Sequence, residues 1–293
     1  MKLQSLLFVP LFTALASAGI IEDVREAIAK SGEAATVQKL QSYRTSQGIT
    51  AEYLEAFSWL ARAQYNAKRY AQAAQTAEEV YDLCRAELKK RPLDSERHLP
   101  IALGAAIEVQ AGGLAGEGRR AEAVSFLQDE VKKYIGTSIQ TRVQKNLLLL
   151  TLEGKPAPAL EGVVLPKGKP AVIFFWAHWC PDCKAEAPIL KRIRAEYGPK
   201  GLTVIAPTQK YGYTVRGEDA SAAVEVAYIE QIRKQYYEGV IDGPAPVSEA
   251  NFVRYGASTT PTMVVVDRAG VVRVYHPGAM KYEELEQALK KLM

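Results

Sequence analysis

Residues 171–183 read AVIFFWAHWCPDC, and their reading decides the fold of the second half of the chain. The apolar, aromatic run from Ala171 to Trp176 is long enough for one fully buried strand. Ala177, His178 and Trp179 follow, then Cys180, Pro181, Asp182 and Cys183. Residues 184–197 have helical composition, with Leu190, Ile193 and Tyr197 on one face. The two cysteines therefore sit where a strand hands over to a helix. A thiol at a helix N-terminus meets unpaired backbone N–H groups and the positive end of the helix dipole, which favour thiolate. Two cysteines separated by two residues in a first helical turn can close a small disulfide that exchanges readily. Pro181, just inside the helix, has no N–H to lose and a preset φ.

Trp-Ala-x-Trp-Cys-x-x-Cys after an apolar strand resembles the thioredoxin superfamily, and most closely the TlpA/ResA-like extracytoplasmic thiol–disulfide oxidoreductases. The resemblance runs from about residue 156 to residue 293. It implies an α/β thioredoxin-like fold over residues 154–293, a central mixed sheet flanked by helices. It also implies roles: Cys180, exposed at the helix start, attacks a substrate disulfide, the less exposed Cys183 resolves the mixed disulfide, and Trp179 caps the pair. Glu186, three residues beyond Cys183, matches a buried glutamate that modulates the thiols and relays protons; otherwise it is a solvated helix residue. Thr260-Pro261 matches a cis proline facing the cysteines, with the backbone of Thr260 offered to an extended substrate. Many thioredoxins carry a buried aspartate where Phe174 stands, so proton transfer here is left to Glu186 or water. His178 and Asp182 pull the thiolate in opposite directions.

At 293 residues the chain is near the size at which one core stops growing, so two domains are expected. A formal charge of +4 and the lack of a basic aromatic stripe give no support for nucleic-acid binding. Residues 1–18 carry Lys2, an apolar stretch and Ala16-Ser17-Ala18 before Gly19, the pattern of a cleaved signal peptide. That predicts a periplasmic or secreted protein with no membrane span after cleavage, since no later apolar run is expected to cross a bilayer. Three cysteines at these positions make no disulfide framework. Cys84, in an amphipathic stretch with Val80, Tyr81 and Leu88, reads as a buried free thiol, with an intermolecular bridge as the alternative.

Residues 19–153 are rich in Ala, Glu, Gln, Lys and Leu, and predict an all-α helical-hairpin domain of five to seven helices. Pro92, Pro100 and the glycine-rich residues 111–118 are expected to interrupt it. Phe57, Leu60-Ala61, Lys68, Tyr70, Ala73, Ala77 and Val80 sit near tetratricopeptide spacing, with a weaker echo at residues 118–123 and Leu127. A generic helical hairpin fits as well. Either version offers a concave surface for a protein partner or for self-association. His98 reads as a solvated loop residue. Leu147 to Leu150 would close this domain, and residues 153–158, EGKPAP, read as a Gly/Pro hinge.

Beyond the hinge, residues 156–165 resemble a lead-in hairpin, and residues 202–206 form a second buried strand that makes a parallel βαβ unit with the first. Residues 207–246 read as an insertion helix plus a further βα unit. The helix carries Val224, Ala227, Ile232 and Tyr236 inward, and the loop at Tyr211-Gly212-Tyr213 borders the active site or packs the scaffold. A short helix at 251–255, strands at 262–267 and 271–275 around a turn at Gly270, and a terminal helix at 281–292 complete the chain.

The leading function is an exported enzyme reducing or exchanging disulfides of extracytoplasmic proteins, supplied by an upstream thiol donor, with no cofactor and no metal. A disulfide oxidase of the same fold is the alternative, as is a helical-repeat interaction protein whose thioredoxin-like domain only docks. A peroxidase would need threonine where Ala177 stands. Copper delivery would need C-x-x-x-C and a placed histidine, whereas His276 reads as an exposed strand-end residue.

Overall fold

The computed structural model describes residues 19–241 and 243–292, so the signal-peptide expectation for residues 1–18 lies outside the described residues. The first half is helical throughout: α1 (Ile20–Lys30), α2 (Glu33–Gln47), α3 (Ala51–Asn66), α4 (Tyr70–Leu88), α5 (His98–Gly116), α6 (Arg120–Lys133) and α7 (Gln140–Thr151). Short amphipathic helices of this kind are held by packing rather than by propensity. Here α3 with α4, and α5 with α6, form consecutive hairpins with tight turns in which Lys68 and Gly118 take left-handed backbone. Ala73, Ala77 and Val80 are buried in α4, and Ala123 and Leu127 in α6.

The glycine-rich stretch does not interrupt the helical half: α5 runs unbroken through Gly112, Gly113 and Gly116. A Cβ on Gly116 would stand 2.5 Å from the ring of Tyr70, and one on Gly113 would stand 2.9 Å from Ala74 Cβ. The missing side chains are therefore what lets α4 approach, and that closeness outweighs glycine's poor helix propensity. Pro100 likewise lies in the first turn of α5, where its absent N–H costs nothing. Contrary to expectation, α5 is long and apolar enough to cross a bilayer. It is instead the central core helix, with Leu99, Leu103 and Ile107 fully buried. His98 is not a solvated loop residue either. It opens α5, half-buried, with Nδ1 2.7 Å from Glu55 Oε2.

The second half holds β1 (Ala171–Phe175), α8 (Pro181–Tyr197), β2 (Thr203–Ile205), α9 (Ala222–Tyr237), α10 (Glu249–Tyr255), β3 (Thr262–Val266), β4 (Val272–Pro277) and α11 (Tyr282–Lys290). The sheet order is β2-β1-β3-β4, with β1 parallel to β2 and antiparallel to β3, and β3 antiparallel to β4. This is the expected mixed sheet with its βαβ unit. Every residue of β1 is buried because both faces are covered. Val172, Phe174 and Trp176 point to the side packed by α8, α9 and α11. Ile173 and Phe175 point to the other side, against Phe252 and Tyr255 of α10 and Leu148 of α7. The last helix of the first half thus covers a sheet belonging to the second.

Three local expectations are corrected. Residues 156–165 form no hairpin; Pro156 makes an isolated bridge to Val271. Residues 153–158 are no free hinge. Gly154 N donates to Val272 O at 2.8 Å, Val272 N to Lys155 O at 2.9 Å and Ala157 N to Gly270 O at 2.8 Å, while Tyr275 N donates to Glu153 Oε1 at 3.0 Å. Residues 207–246 add a helix but no strand among the described residues, only isolated bridges such as Thr208 to Val247. Pro207 and Pro246, which lack ladder donors, flank the positions where such a strand would grow.

Candidate functional site

The site forms where β1 ends. Trp176 is locked to the end of β2: its Nε1 donates to Ala206 O at 3.0 Å, and Thr208 Oγ1 donates to Trp176 O at 2.8 Å. The chain then turns into α8 with Cys180 as N-cap, its Sγ accepting from Cys183 N at 3.0 Å, and Pro181 in the first helical position. Cys180 and Cys183 are joined as a disulfide with Cα atoms 5.3 Å apart. Opposite them the Thr260–Pro261 peptide bond is cis, and Thr260 O lies 3.5 Å from Cys180 Sγ. The motif pair separated by eighty residues of sequence is therefore brought together as expected. One expectation fails: Cys180 is only 2% exposed, packed against Cys183 and the Thr260 carbonyl, while its neighbour Trp179 is 45% exposed.

Glu186 is buried on the inner side of α8, one turn beyond Cys183. Its Oε1 accepts the backbone N–H of Met280, while Oε2 is buried with no hydrogen-bond partner. Burial pushes this carboxyl above its ordinary value, against the pull of the Met280 N–H and of His276, and with a push from Asp182. A carboxyl raised by burial near a thiol pair can accept a proton and hold it. Phe174 lies in the core as read, its ring 5.7 Å from that of Tyr237. His276 lies half-buried in β4 with Nδ1 3.4 Å from Gly278 O.

His178 is fully buried, its Nε2 donating to Glu225 Oε1 at 3.2 Å. The acceptor is a carboxylate, which fixes the proton on that nitrogen. Burial pushes the imidazole below its ordinary value and outweighs the carboxylate beside it. Pushed toward its neutral form by burial and turned to Glu225, His178 is poorly placed to lend Cys180 positive charge.

Glu225 was missed in the sequence. It accepts from Tyr211 N and from Gly212 N, the latter at 2.9 Å, and so pins the loop after β2. Tyr211 then packs edge-on against both Trp179 and His178, at 5.5 and 5.6 Å between ring centres. Because Glu225 turns inward, α9 buries Glu225, Ile229, Ile232 and Tyr237, and leaves Val224 and Tyr236 of the expected face exposed, Ala227 with them. The signal was present: an acidic residue four before Ile229 and seven before Ile232 lies on one helical stripe with them.

Cys84 is fully buried in α4 and unpaired, which removes the intermolecular bridge.

Residues 161–293 match the family model of the thioredoxin-like domain. Among curated relatives, thiol:disulfide interchange protein DsbE of Yersinia pestis is 28% identical over 158 residues, covering 50% of this chain and 75% of the relative. Thioredoxin-like protein YneN of Bacillus subtilis is 28% identical over 165 residues, covering 56% and 86%. Thiol-disulfide oxidoreductase ResA of Bacillus anthracis is 26% identical over 167 residues, covering 57% and 83%. With a strand-to-helix Cys180–Cys183 pair facing a cis proline across a four-stranded mixed sheet, the second half of this chain is a thioredoxin-like domain of the thiol–disulfide oxidoreductase kind.

Proposed function

We propose that the chain is an exported thiol–disulfide oxidoreductase that reduces disulfides of extracytoplasmic proteins. In the reduced enzyme, Cys180 attacks as thiolate; one bond forms to a substrate sulfur, the substrate disulfide breaks, and one substrate thiolate leaves. Cys183 gives its proton to Glu186 and attacks Cys180 Sγ. The second substrate sulfur leaves, and the Cys180–Cys183 disulfide forms, two electrons having passed to the substrate. A thiol donor of the same compartment restores the dithiol by the reverse exchange. Trp179 and the backbone of Thr260 border the incoming chain. On this reading residues 154–293 carry the chemistry and residues 19–153 the choice of partner, while export rests on the pattern of residues 1–18.

The observation that carries the reading is the placement of Cys180 at the N-cap of α8, 3.5 Å from Thr260 O, above a buried Glu186. The direction rests on His178. Strongly oxidising enzymes of this chemistry are those whose reduced form is stabilised. A neutral, Glu225-bound His178 leaves the helix terminus as the main support for the thiolate. Equilibration with glutathione buffers tests the direction: a reducing potential is expected, and a markedly oxidising one sinks it. A Cys183→Ser variant tests the chemistry, since it should accumulate mixed disulfides through Cys180; no trapped species in the exporting cell would count against the enzyme.

A further inference from the structure

A groove of about 690 Å³ runs between the two halves beside the cysteines, a size ordinary for a ligand site. Trp179, Tyr211 and Thr260 line one wall, and Glu108, Arg142 and Lys145, from α5 and α7, line the other. The walls are fixed to each other. Gly256, at the end of α10 with φ +57, lies on the backbone of α7, where a Cβ would come within 2.5 Å of Lys145 Cα. Thr260 follows four residues later on the same short loop. Lys145 and the substrate-facing carbonyl of Thr260 are thus tied to one rigid contact.

The charge on the helical wall is lopsided. Three cations converge on the single carboxylate of Glu108: Arg62 at 2.6 Å, Arg142 at 3.0 Å and Lys145 at 3.4 Å. Burial alone would raise Glu108, yet the three cations hold its carboxyl well below the usual carboxylate range. Asp94, which hydrogen-bonds Ser138 of the groove, is occupied by the backbone N–H and hydroxyl of that residue. The Lys145 side chain is only 12% exposed, and burial pushes its ammonium down. Cations this sheltered are costly unless a counter-charge faces them, and one carboxylate balances one of the three.

We infer that the groove receives the extended chain of the substrate, and that Lys145 and Arg142 select a segment bearing a carboxylate side chain next to the cysteine under attack. The inference rests on the oxidoreductase reading and names the class of polypeptide that reading leaves open. An extended chain laid against Thr260 runs from the reacting sulfur along the groove, so a neighbouring Asp or Glu side chain meets the cationic wall. The helical half thereby contributes to the active site directly.

The test uses the full-length reduced enzyme and two peptide disulfides that differ only by Glu or Gln beside the cysteine, with rates followed by tryptophan fluorescence. At low ionic strength the Glu peptide should react with a kcat/KM about fivefold higher, as befits a half-screened charge pair. Lys145→Gln and Arg142→Gln should each pull that ratio toward one, and added salt should do the same in the wild type, whatever the stability of the variants. Equal rates for the two peptides in the wild type, or a ratio unchanged by salt, overturn the inference. The neutral disulfide 4,4′-dithiodipyridine separates the two levels. A wild type that reacts with it but shows no peptide preference loses only the acidic-segment inference, whereas a wild type inert to it loses the oxidoreductase reading and the inference with it.

Discussion

Gly256 of the second half rests directly on the backbone of Lys145 in the first, with room for a hydrogen and none for a methyl group. Gly256→Ala should therefore push α7 off α10, adding overpacking to the cost of a left-handed backbone. Together these amount to about 2–4 kcal/mol. Urea unfolding of the full chain reads this directly, and a midpoint unchanged from wild type would show that the two helices can part without loss.

Glu225 holds His178 and two loop amides together from the middle of α9. Glu225→Ala leaves a buried imidazole and two N–H groups without their acceptor, a loss of about 3 kcal/mol. Glu225→Gln keeps one oxygen and should lose less. Since Tyr211 rests on Trp179, both variants should also alter tryptophan emission in proportion.

The pH dependence of His178 has a definite sign. Its folded value lies below the ordinary 6.5, so as pH falls the unfolded chain takes up the proton first. Stability from this site is complete above 6.5 and is lost as pH drops below it through the folded value. His178→Gln should flatten the fall in denaturant midpoint between neutral pH and the acid side; a slope equal to wild type would contradict the burial argument.

Glu186 acts in the opposite sense. Its folded value is raised above 4.5, so the native state keeps a proton that the unfolded chain has shed, and stability falls as pH rises from 4.5 through the folded value. Glu186→Gln keeps an acceptor for Met280 N–H and carries no charge. It should match or exceed wild-type stability at neutral pH, with the difference closing toward pH 4.5, while slowing resolution of the mixed disulfide. A variant both less stable and fully active would remove Glu186 from the proton path.

Cys84 offers a labelling test. Burial pushes its thiol up to about 12, so iodoacetamide at mildly alkaline pH should label the reduced native protein at the Cys180–Cys183 pair and spare Cys84. Denaturation should then open Cys84 to the same reagent, so that mass spectrometry finds all three cysteines labelled.

What the sequence disclosed follows from the range of the forces involved. The Ala171–Trp176 run, the cysteine spacing and Thr260-Pro261 are local patterns whose chemistry depends on neighbours in sequence, and they led to the sheet and the site. The errors came from partners far along the chain. Gly112, Gly113 and Gly116 look like helix breakers until Tyr65, Tyr70 and Ala74 are laid against them. The inward face of α9 is displaced because Glu225 answers His178, which sits forty-seven residues earlier. Residues 153–157 read as a flexible join because their hydrogen-bond partners, Gly270, Val272 and Tyr275, come near the end of the chain.

That last pairing sets an order of assembly. The helices can pair as they are synthesised, since their contacts are between near neighbours in sequence. The seam between the halves cannot close until β4 has been made, because the backbone of residues 154–157 pairs with strand positions more than a hundred residues downstream. Once closed, the seam lays a hydrogen-bonded segment against the start of β4 on its outer edge, at Val272, where the edge would otherwise be free to recruit a strand from another molecule. The join between the halves thus also satisfies backbone groups at the open edge of the sheet, and it can do so only after β4 is in place.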